Sequence, residues 1–390
     1  MIPFETAYEI LLKQATFAGT EQMHLDQAMH RVLAEDIRAD RDMPPFHKSA
    51  VDGFACIDPQ PDQELEVLEN IAAGEQPTHK LKKGSCSKVM TGAEIPPGTT
   101  HVVMVEQTEE KGGSQVRLLD PGRKTNIALQ GEDFRRGDAV LPKGTWLRPQ
   151  HLAILAAVGH TRPLVAKRPS VALITTGNEL VEPHHQPASG QIRNTNATQL
   201  MAQFKGLWIN AQYLGIVRDT EQSVLNVIED AVERHWLTVL TGGVSMGDHD
   251  YVPHMMEEAG IRILFHKIAM KPGKPTIVGR KGDHLVVGLP GNPVSTFLQF
   301  ELLIKPLLHK QMGGHYQPPT IRLPLGEELK QKKSDRDSWK PVRLEQGEVF
   351  TIPYHGSGHI HALHLAQGFI RVPAGVQSIK KGAIVDVRQV

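Results

Sequence analysis

Strands and helices alternate between residues 169 and 318, and this pattern constrains the fold more than any other feature of the chain. Apolar segments predict strands at 170–175, 211–217, 237–240, 277–278 and 285–287. Helical patterns at 196–203, 221–234, 253–259 and 293–308 lie between or after them. Alternation at this spacing is typical of a mostly parallel sheet with helices on both faces. We therefore predict a central, doubly wound α/β domain.

The regions on either side of this domain predict smaller units. Apolar residues at helical spacing predict helices at 4–16, 25–37 and 152–158, the last closed by Gly159. Short β-rich segments separated by Gly and Pro turns predict a small β domain at about 47–139. After a linker at 315–319, further short strands predict a second small β domain, a barrel.

The composition excludes several classes of protein. Lys and Arg number 43, as do Asp and Glu, so the chain lacks the basic excess that binding to a nucleic-acid backbone requires. Aromatic residues make up only 5%, which argues against stacking surfaces for single-stranded nucleic acid. With no leader pattern and no apolar run near about 18 residues, we expect a cytoplasmic protein outside the membrane. Cys56 and Cys86 are interpreted as small core residues.

Three glycine-bearing turns follow predicted strands of the central domain. They read TTGNE at 175–179, TGGVS at 241–245 and GLPGNP at 288–293. Ligands of open α/β sheets bind beyond the carboxyl ends of the strands, where glycine lets a backbone approach an anion closely. Three such turns on one rim favour a binding site for an anionic ligand. The alternative is that the turns only connect strands to helices. None of them matches the Walker pattern or the dinucleotide fingerprint.

Carboxylates fall on the same rim. Glu179 follows the first turn, Asp219 follows the 211–217 strand, and Asp248 and Asp250 follow the second glycine turn. Carboxylates around glycine turns that bind a phosphate indicate a divalent metal between them, because hard cations prefer oxygen ligands. The alternative is helix capping, which suits Asp219 ahead of the 221–234 helix better than it suits Asp250.

The segment KPGKP at 271–275 is the strongest cationic feature. Two prolines around a glycine fix an irregular backbone, so we interpret Lys271 and Lys274 as anion ligands, with Lys267 as a candidate third. The alternative is an exposed surface turn. A histidine-rich stretch at 355–364 lacks a neighbouring Cys or acidic partner, and we interpret His359 and His361 as one polar face of a strand.

Seven ordered motifs resemble the MoeA family of molybdopterin molybdenumtransferases, which also includes the E domain of gephyrin. They are SAVDGFA at 49–55, MTGA at 90–93, GED at 131–133, TGNEL at 176–180, TGGVS at 241–245, KPGKP at 271–275 and LPGNPVS at 289–295. The resemblance covers essentially the whole chain. Two departures are His47-Lys48, where many relatives carry Asp-Asn, and Asn178, where many carry Asp.

The resemblance implies an elongated homodimer of four-domain subunits. The implied domains are an elongated α+β linker domain (20–46 plus 140–168), a small inserted β-rich domain (47–139), an α/β molybdopterin-binding domain (1–19 plus 169–318) and a C-terminal β-barrel domain (319–390). It further implies insertion of molybdate into adenylylated molybdopterin with Mg²⁺ and release of AMP, the final step of molybdenum cofactor biosynthesis. A molybdopterin adenylyltransferase and molybdoenzyme maturation proteins are the implied partners.

The resemblance also assigns roles to individual residues. The catalytic set would be Asp52, Asp133, Glu179, Asp219 and Asp250, with Glu179, Asp219 and Asp250 at the metal. The substrate-binding set would be Thr91, Thr176, Gly177, Gly242, Gly243, Ser245, Lys271, Lys274, Pro290, Gly291, Asn292 and Pro293. Asp52 and Thr91 would come from one subunit and the rim residues from the other. The alternatives are a gephyrin-like scaffold and a pterin- or anion-binding protein without turnover.

Overall fold

The computed structural model describes residues 1–112, 114–244, 251–353, 356 and 358–390. Its central unit is a six-stranded sheet. We label the strands β1 (Val171–Thr176), β2 (Gln212–Val217), β3 (Leu237–Thr241), β4 (Arg262–His266), β5 (Ile277–Lys281) and β6 (His284–Leu289). They lie in the order β2-β1-β3-β6-β5-β4, and the first four are mutually parallel. This confirms the mostly parallel sheet.

The other two strands, β5 and β4, run antiparallel to their neighbours. Only Gly282 and Asp283 separate β5 from β6. A connection of two residues forms a hairpin, because a parallel crossover needs a dozen residues or more. The 267–276 loop between β4 and β5 contains the KPGKP segment and no helix. The antiparallel edge therefore follows from the connections.

Helices cover both faces of the central sheet, as predicted. The bounds are Phe4–Leu12, Thr195–Gly206, Glu221–Arg234, Val252–Glu258 and a last run of Pro293–Gln299, a π-helical Phe300–Ile304 and Lys305–Gln311. Val171 and Leu173 of β1 pack in one apolar cluster with the first, second and last of these helices. Ala172 and Ile174 pack in a second cluster with the 221–234 and 252–258 helices. Successive residues of a strand point to opposite faces, so both faces of β1 are buried.

The small β domain is also built around six strands. In sheet order they are His101–Met104, Gly53–Cys56, Ser85–Val89, Glu64–Ile71, Gln115–Leu118 and Thr108–Glu110. Short strands Lys48–Ser49 and Ile127–Ala128 pair beside this sheet. Cys56 and Cys86 are fully buried in its core, which confirms their interpretation as core residues, and burial raises the pKa of each thiol to about 12.

The predicted helix at 25–37 is wrong. A 3₁₀ turn at Leu25–Gln27 is followed by irregular chain and a two-residue strand, Ile37–Arg38, which pairs with Ala139–Leu141. The backbone between them bonds to distant segments: the Leu33 amide donates to the Thr145 carbonyl (2.9 Å) and the Leu147 amide to the Arg31 carbonyl (2.8 Å). Most of the apolar residues of the 25–37 segment are therefore buried without forming a helix. A strand pair, Thr20–Gln22 with Leu164–Ala166, and the helix Pro149–Ala157 complete this region.

The C-terminal unit is a small barrel. Its strands are Thr320–Pro324, Asp337–Glu345, Glu348–Thr351, Gly368–Val372 and Ile384–Gln389, with a separate pair of Leu329–Lys330 and Ser378–Ile379. A parallel bridge between Leu325 and Val349 joins the first strand to the third and closes the ring. The predicted polar strand at His359 and His361 is wrong, because Ile360–Leu365 is a 3₁₀ helix.

Two of the contacts that connect these units are extended. The Met270–Lys271 strand, from the loop between β4 and β5, pairs in parallel with Asp337 and Ser338 of the barrel. A row of rings also runs across the units, with centroid separations of 4.6 Å (Trp208–His30), 6.4 Å (His30–Trp146), 4.6 Å (Trp146–His309) and 4.8 Å (His309–Tyr316). The exact domain boundaries stay predictions. Over the described residues, we find no helix that is both long enough and apolar enough to cross a membrane.

Candidate functional site

A cleft of about 930 Å³ opens at the carboxyl ends of the parallel strands. The strand ends are aligned, since Thr175 of β1 is opposite Thr241 of β3, which is opposite Leu289 of β6. Most of the predicted rim residues line the cleft together: Thr176, Glu179, Asp219, Gly242, Gly243, Pro290, Gly291, Asn292 and Pro293. The structure therefore brings the three glycine turns and two of the predicted carboxylates into one site.

The glycine turns require glycine at two positions, one on the floor of the cleft and one beside it. Gly242 has a φ of +98°, and a Cβ added there would lie 2.2 Å from the Thr176 carbonyl oxygen. Gly177, at φ +153°, is not among the cleft-lining residues, but a Cβ there would lie 2.7 Å from the Glu179 carboxylate. At position 242, only glycine lets the second turn pack this closely on the first. Gly242 and Gly243 of the second turn therefore line the cleft directly.

Two asparagines at the start of the Thr195–Gly206 helix hold the rim together. Asn194 caps the helix by accepting from the Ala197 amide (3.1 Å). The Asn196 side chain donates to the Thr241 hydroxyl (2.9 Å) and to the Gly291 carbonyl (2.7 Å), so it ties the second turn to the third. Both line the cleft, and neither was predicted as a site residue. Asn before a helical pattern is a capping signal that could have identified Asn194.

A partly buried polar network supports Asn194. Asn194 also donates to the Tyr213 hydroxyl (2.8 Å), and that hydroxyl donates to the Glu182 carboxylate (2.8 Å). Burial, together with the neighbouring Glu182, raises the pKa of Tyr213 to about 12. Tyr213 is therefore a neutral hydrogen-bond donor at physiological pH, and it fixes the Asn194 cap beneath the cleft.

Glu179 and Asp219 are the two predicted carboxylates that line the cleft. Glu179 is exposed and follows the first turn directly. The Asp219 amide donates to the Asn178 side-chain oxygen (3.2 Å), which ties the Asp219 turn to the first glycine turn. Ser245, Asp248 and Asp250 lie outside the described residues. Among the residues that are described, no three His, Cys, Asp or Glu side chains group closely enough to hold a metal ion.

Lys271 and Lys274 do not line the cleft, although Pro275 of the same segment does. Both lysines are exposed. The Gln299 side chain buttresses the segment by donating to the Gly273 carbonyl (2.5 Å), and a Cβ on Gly273 would lie 2.5 Å from that amide nitrogen. The KPGKP backbone is therefore fixed by packing.

Lys340 of the barrel is a neighbour of Lys271 that the sequence did not indicate. Lys271 is opposite Ser338 in the ladder, and Lys340 is two residues along the same strand, on the same face. Burial, with the Lys271 charge, lowers the pKa of Lys340. Among the described residues, neither lysine is paired with a carboxylate. The sheet thus places two unpaired ammonium groups on one face.

Asp52, Thr91 and Asp133 lie away from this cleft. Asp52 and Thr91 meet in the small β domain, where Thr91 donates to one carboxylate oxygen through its amide (2.6 Å) and its hydroxyl (2.8 Å). Asp133 is exposed, and its amide donates to the Met43 carbonyl (3.0 Å). Within a single chain these three residues do not join the rim residues.

Comparisons with known proteins agree along the whole length. Three family models match: "MoeA N-terminal region (domain I and II)" at 2–159, "Probable molybdopterin binding domain" at 172–310 and "MoeA C-terminal region (domain IV)" at 322–390. A molybdopterin molybdenumtransferase of Staphylococcus epidermidis is 35% identical, over 99% of this chain and 95% of its own; that of Staphylococcus aureus is 33% identical over the same shares. A crystal structure of the molybdopterin biosynthesis MoeA protein from Pyrococcus horikoshii is 30% identical, with a TM-score of 0.87 over both entire chains.

Proposed function

Since the chain belongs to the MoeA family and so acts in molybdenum cofactor biosynthesis, we propose that it inserts molybdate into adenylylated molybdopterin and releases AMP. The observation that carries this proposal is the single cleft in which glycine turns from three parallel strands meet Glu179 and Asp219. Such a site suits a ligand with several phosphate oxygens. We place the reaction in the cytoplasm, after a molybdopterin adenylyltransferase and before molybdoenzyme maturation.

The polar floor would hold the pyrophosphate of the substrate. Thr176, Gly242, Gly243 and the 290–293 turn would bind its oxygens, and the rigid packing of Gly242 on Thr176 keeps these donors in place. Fixed donors aimed at phosphate oxygens stabilise charge without reorganisation during the reaction. The binding energy of this floor would position the phosphorus for cleavage from AMP.

Mg²⁺ fits the donors of this cleft. Glu179 and Asp219 both line it, and Mg²⁺ in proteins commonly binds one or two carboxylates together with substrate phosphates. Asp250 is proposed as a third carboxylate from the sequence. When bound, Mg²⁺ would neutralise and polarise the pyrophosphate. The chain's own contribution is the placement of the two carboxylates, which Asn178 links through the Asp219 amide.

Molybdate is a dianion and needs its own positive charge. Lys271 and Lys274 supply it, on a segment that Gln299 holds rigid, and Lys340 adds a charge on the same sheet face as Lys271. We propose that molybdate binds next to these lysines. The like charges repel one another when the site is empty, so an anion between them relieves that repulsion.

We further propose a homodimer in which Asp52 and Thr91 complete the cleft of the partner subunit. Support comes from their distance from the cleft within one chain and from their exposure at the surface. Asp133 is proposed to act with them.

The test of the function is turnover. The purified protein, adenylylated molybdopterin, Mg²⁺ and molybdate should yield AMP and an active cofactor, measured by nucleotide chromatography and reconstitution of an apo-molybdoenzyme. Asp219→Asn should lower the rate about a hundredfold or more while the fold is retained. A rate of AMP release that does not depend on molybdate, or full activity in Asp219→Asn, would contradict the proposal.

The test of the dimer is complementation. Asp52→Ala and Glu179→Ala homodimers should each be inactive. Refolded together, about half the dimers are mixed and half of their sites are intact, so about a quarter of wild-type activity should return by two-fold symmetry. Mixed dimers that form but stay inactive would show that each subunit builds its own site.

A further inference from the structure

Two large hydrophobic side chains are exposed inside the cleft. Ile192 is 57% exposed and Ile360 is 41% exposed, and both line the cleft above its polar floor. Ile192 follows the 183–191 loop of the central domain, whereas Ile360 begins the 3₁₀ helix of the barrel. Apolar side chains from two different domains therefore line one polar cleft.

The Ile192 wall is fixed to the catalytic rim. The Ile192 amide donates to the Glu179 carbonyl (2.8 Å), and Ile192 pairs with Leu180 in a short parallel ladder. Leu180 packs over the first glycine turn, since its Cγ lies 2.9 Å from the position of a Cβ on Gly177. Pro187 extends the same wall. An apolar strip thus stands directly beside Glu179.

The Ile360 wall is fixed to the third glycine turn. Gly358, which also lines the cleft, comes within 3.7 Å of the Asn292 side-chain oxygen, measured from the position that a Cβ would occupy. The Ile360 amide donates to the Gly358 carbonyl (3.1 Å). The barrel segment that carries Ile360 therefore lies beside Asn292, and Ile360 lines the same cleft as Pro293.

The cleft has exposed apolar walls as well as a polar floor. Its polar floor suits the charged part of a ligand. The exposed isoleucine side chains suit a flat, weakly hydrated part of the ligand, because burying apolar surface from water is favourable. We propose that Leu180, Ile192 and Ile360 form the two apolar walls that hold a fused heteroaromatic ring of the substrate. This inference rests on the proposed function, whose substrate carries two such rings, the pterin and the adenine.

Leu365 provides a matched control for Ile360. It is 54% exposed and lies in the same 3₁₀ helix, but it does not line the cleft. An exposed apolar side chain that has no ligand should be neutral to substitution. Ile192→Val keeps an apolar side chain and serves as the conservative variant at the other wall.

The experiment measures equilibrium binding without turnover. AMP, molybdopterin and ribose 5-phosphate are titrated into the wild-type protein and the Ile192→Ser, Ile360→Ser, Ile192→Val and Leu365→Ser variants, with folding checked by circular dichroism. Each Ser variant should raise the Kd of one ring-bearing ligand about tenfold, as expected for losing the burial of one isoleucine. The Kd of ribose 5-phosphate should not change, Leu365→Ser should bind like the wild type, and Ile192→Val should weaken binding less than Ile192→Ser does.

The pattern of weakening identifies the ring. A loss confined to AMP assigns the walls to adenine, and a loss confined to molybdopterin assigns them to the pterin; either result supports the inference. If the wild-type protein binds AMP or molybdopterin and the Ser variants bind both with unchanged Kd, the inference is wrong but the proposed function is not. An equal rise in the Kd of ribose 5-phosphate would also overturn the inference alone. If the wild-type protein binds neither AMP nor molybdopterin, the proposed function fails and the inference fails with it.

Discussion

Thr91 donates two hydrogen bonds to a single oxygen of Asp52, one from its backbone amide and one from its hydroxyl. Both donors stabilise the ionised carboxylate, and together they hold the pKa of Asp52 below its usual range, with the amide the larger cause. Asp52 is exposed, so this arrangement keeps a surface carboxylate ionised and fixed in one orientation.

Thr91→Val tests that pair. Removing the hydroxyl while keeping the amide should raise the pKa of Asp52, because one of its two donors is lost. The acid limb of activity that depends on ionised Asp52 should then move to higher pH. Carboxyl-carbon NMR titration of Asp52 measures the shift directly. Thr99→Val is the control, since the Thr99 hydroxyl donates to the Pro96 carbonyl (2.7 Å) and not to Asp52. An Asp52 pKa that does not move in Thr91→Val would contradict the assignment.

Lys271→Ala should raise the molybdate concentration needed for half-maximal activity by about tenfold, the loss expected for one charged contact. Binding of the pterin substrate should change less, because that ligand has many more contacts. Steady-state kinetics with molybdate varied at fixed pterin separates the two effects. Lys310→Ala, at an exposed lysine in the last helix, should behave like the wild type. An unchanged molybdate dependence would place the oxyanion elsewhere.

Gly242→Ala should both destabilise and inactivate the protein. The added Cβ would meet the Thr176 carbonyl oxygen, and the left-handed backbone is itself unfavourable for alanine. Gly84→Ala isolates the backbone effect, because Gly84 has a φ of +88° and no atom within 4 Å of its added Cβ. Urea unfolding should show a loss of about 1 kcal/mol for Gly84→Ala and at least about 2 kcal/mol more for Gly242→Ala. Equal losses would show that no close packing exists at the second turn.

His309 should make stability depend on pH. Burial, with nearby Lys305, lowers the pKa of His309 to about 4 in the folded protein, against about 6.5 when unfolded. As the pH falls from about 6.5 to about 4, the unfolded chain takes up a proton that the folded chain does not, so stability falls by about 2 kcal/mol in this window. Urea unfolding at pH 7.5 and pH 4.5 measures the loss. His309→Phe keeps a ring beside Trp146 and should show a smaller loss; an equal loss would attribute the effect to other groups.

Local patterns predicted the central domain well and the long-range contacts poorly. The 221–234 helix was predicted with its observed bounds from its amphipathic repeat. Its N-cap is Thr220, whose side chain accepts from the Ser223 amide, and not Asp219, for which capping was the alternative. The 25–37 segment shows the same apolar spacing, but several of its amides bond to carbonyls more than a hundred residues away, such as Leu33 to Thr145. Spacing alone does not distinguish the two cases.

The candidate site shows the same division. The glycine turns could be placed from sequence because parallel strands end on one edge. Lys340 and Ile360 could not, since they come from the barrel and no local pattern links them to the rim. The KPGKP lysines were predicted as anion ligands from their own segment, and that role stays a prediction. What could not be foreseen is that the segment forms a strand of the neighbouring sheet.

Because of that strand, Lys271 and the barrel must move together. Met270 and Lys271 leave the central domain and hydrogen-bond into the ladder of Asp337 and Ser338. A rigid-body swing of the barrel must therefore carry Lys271 with it or break both pairings of that ladder. It would also move Lys340, which lies in the same strand as Ser338. The two charges would travel as one unit, and their spacing would be preserved while their distance from the glycine turns changed.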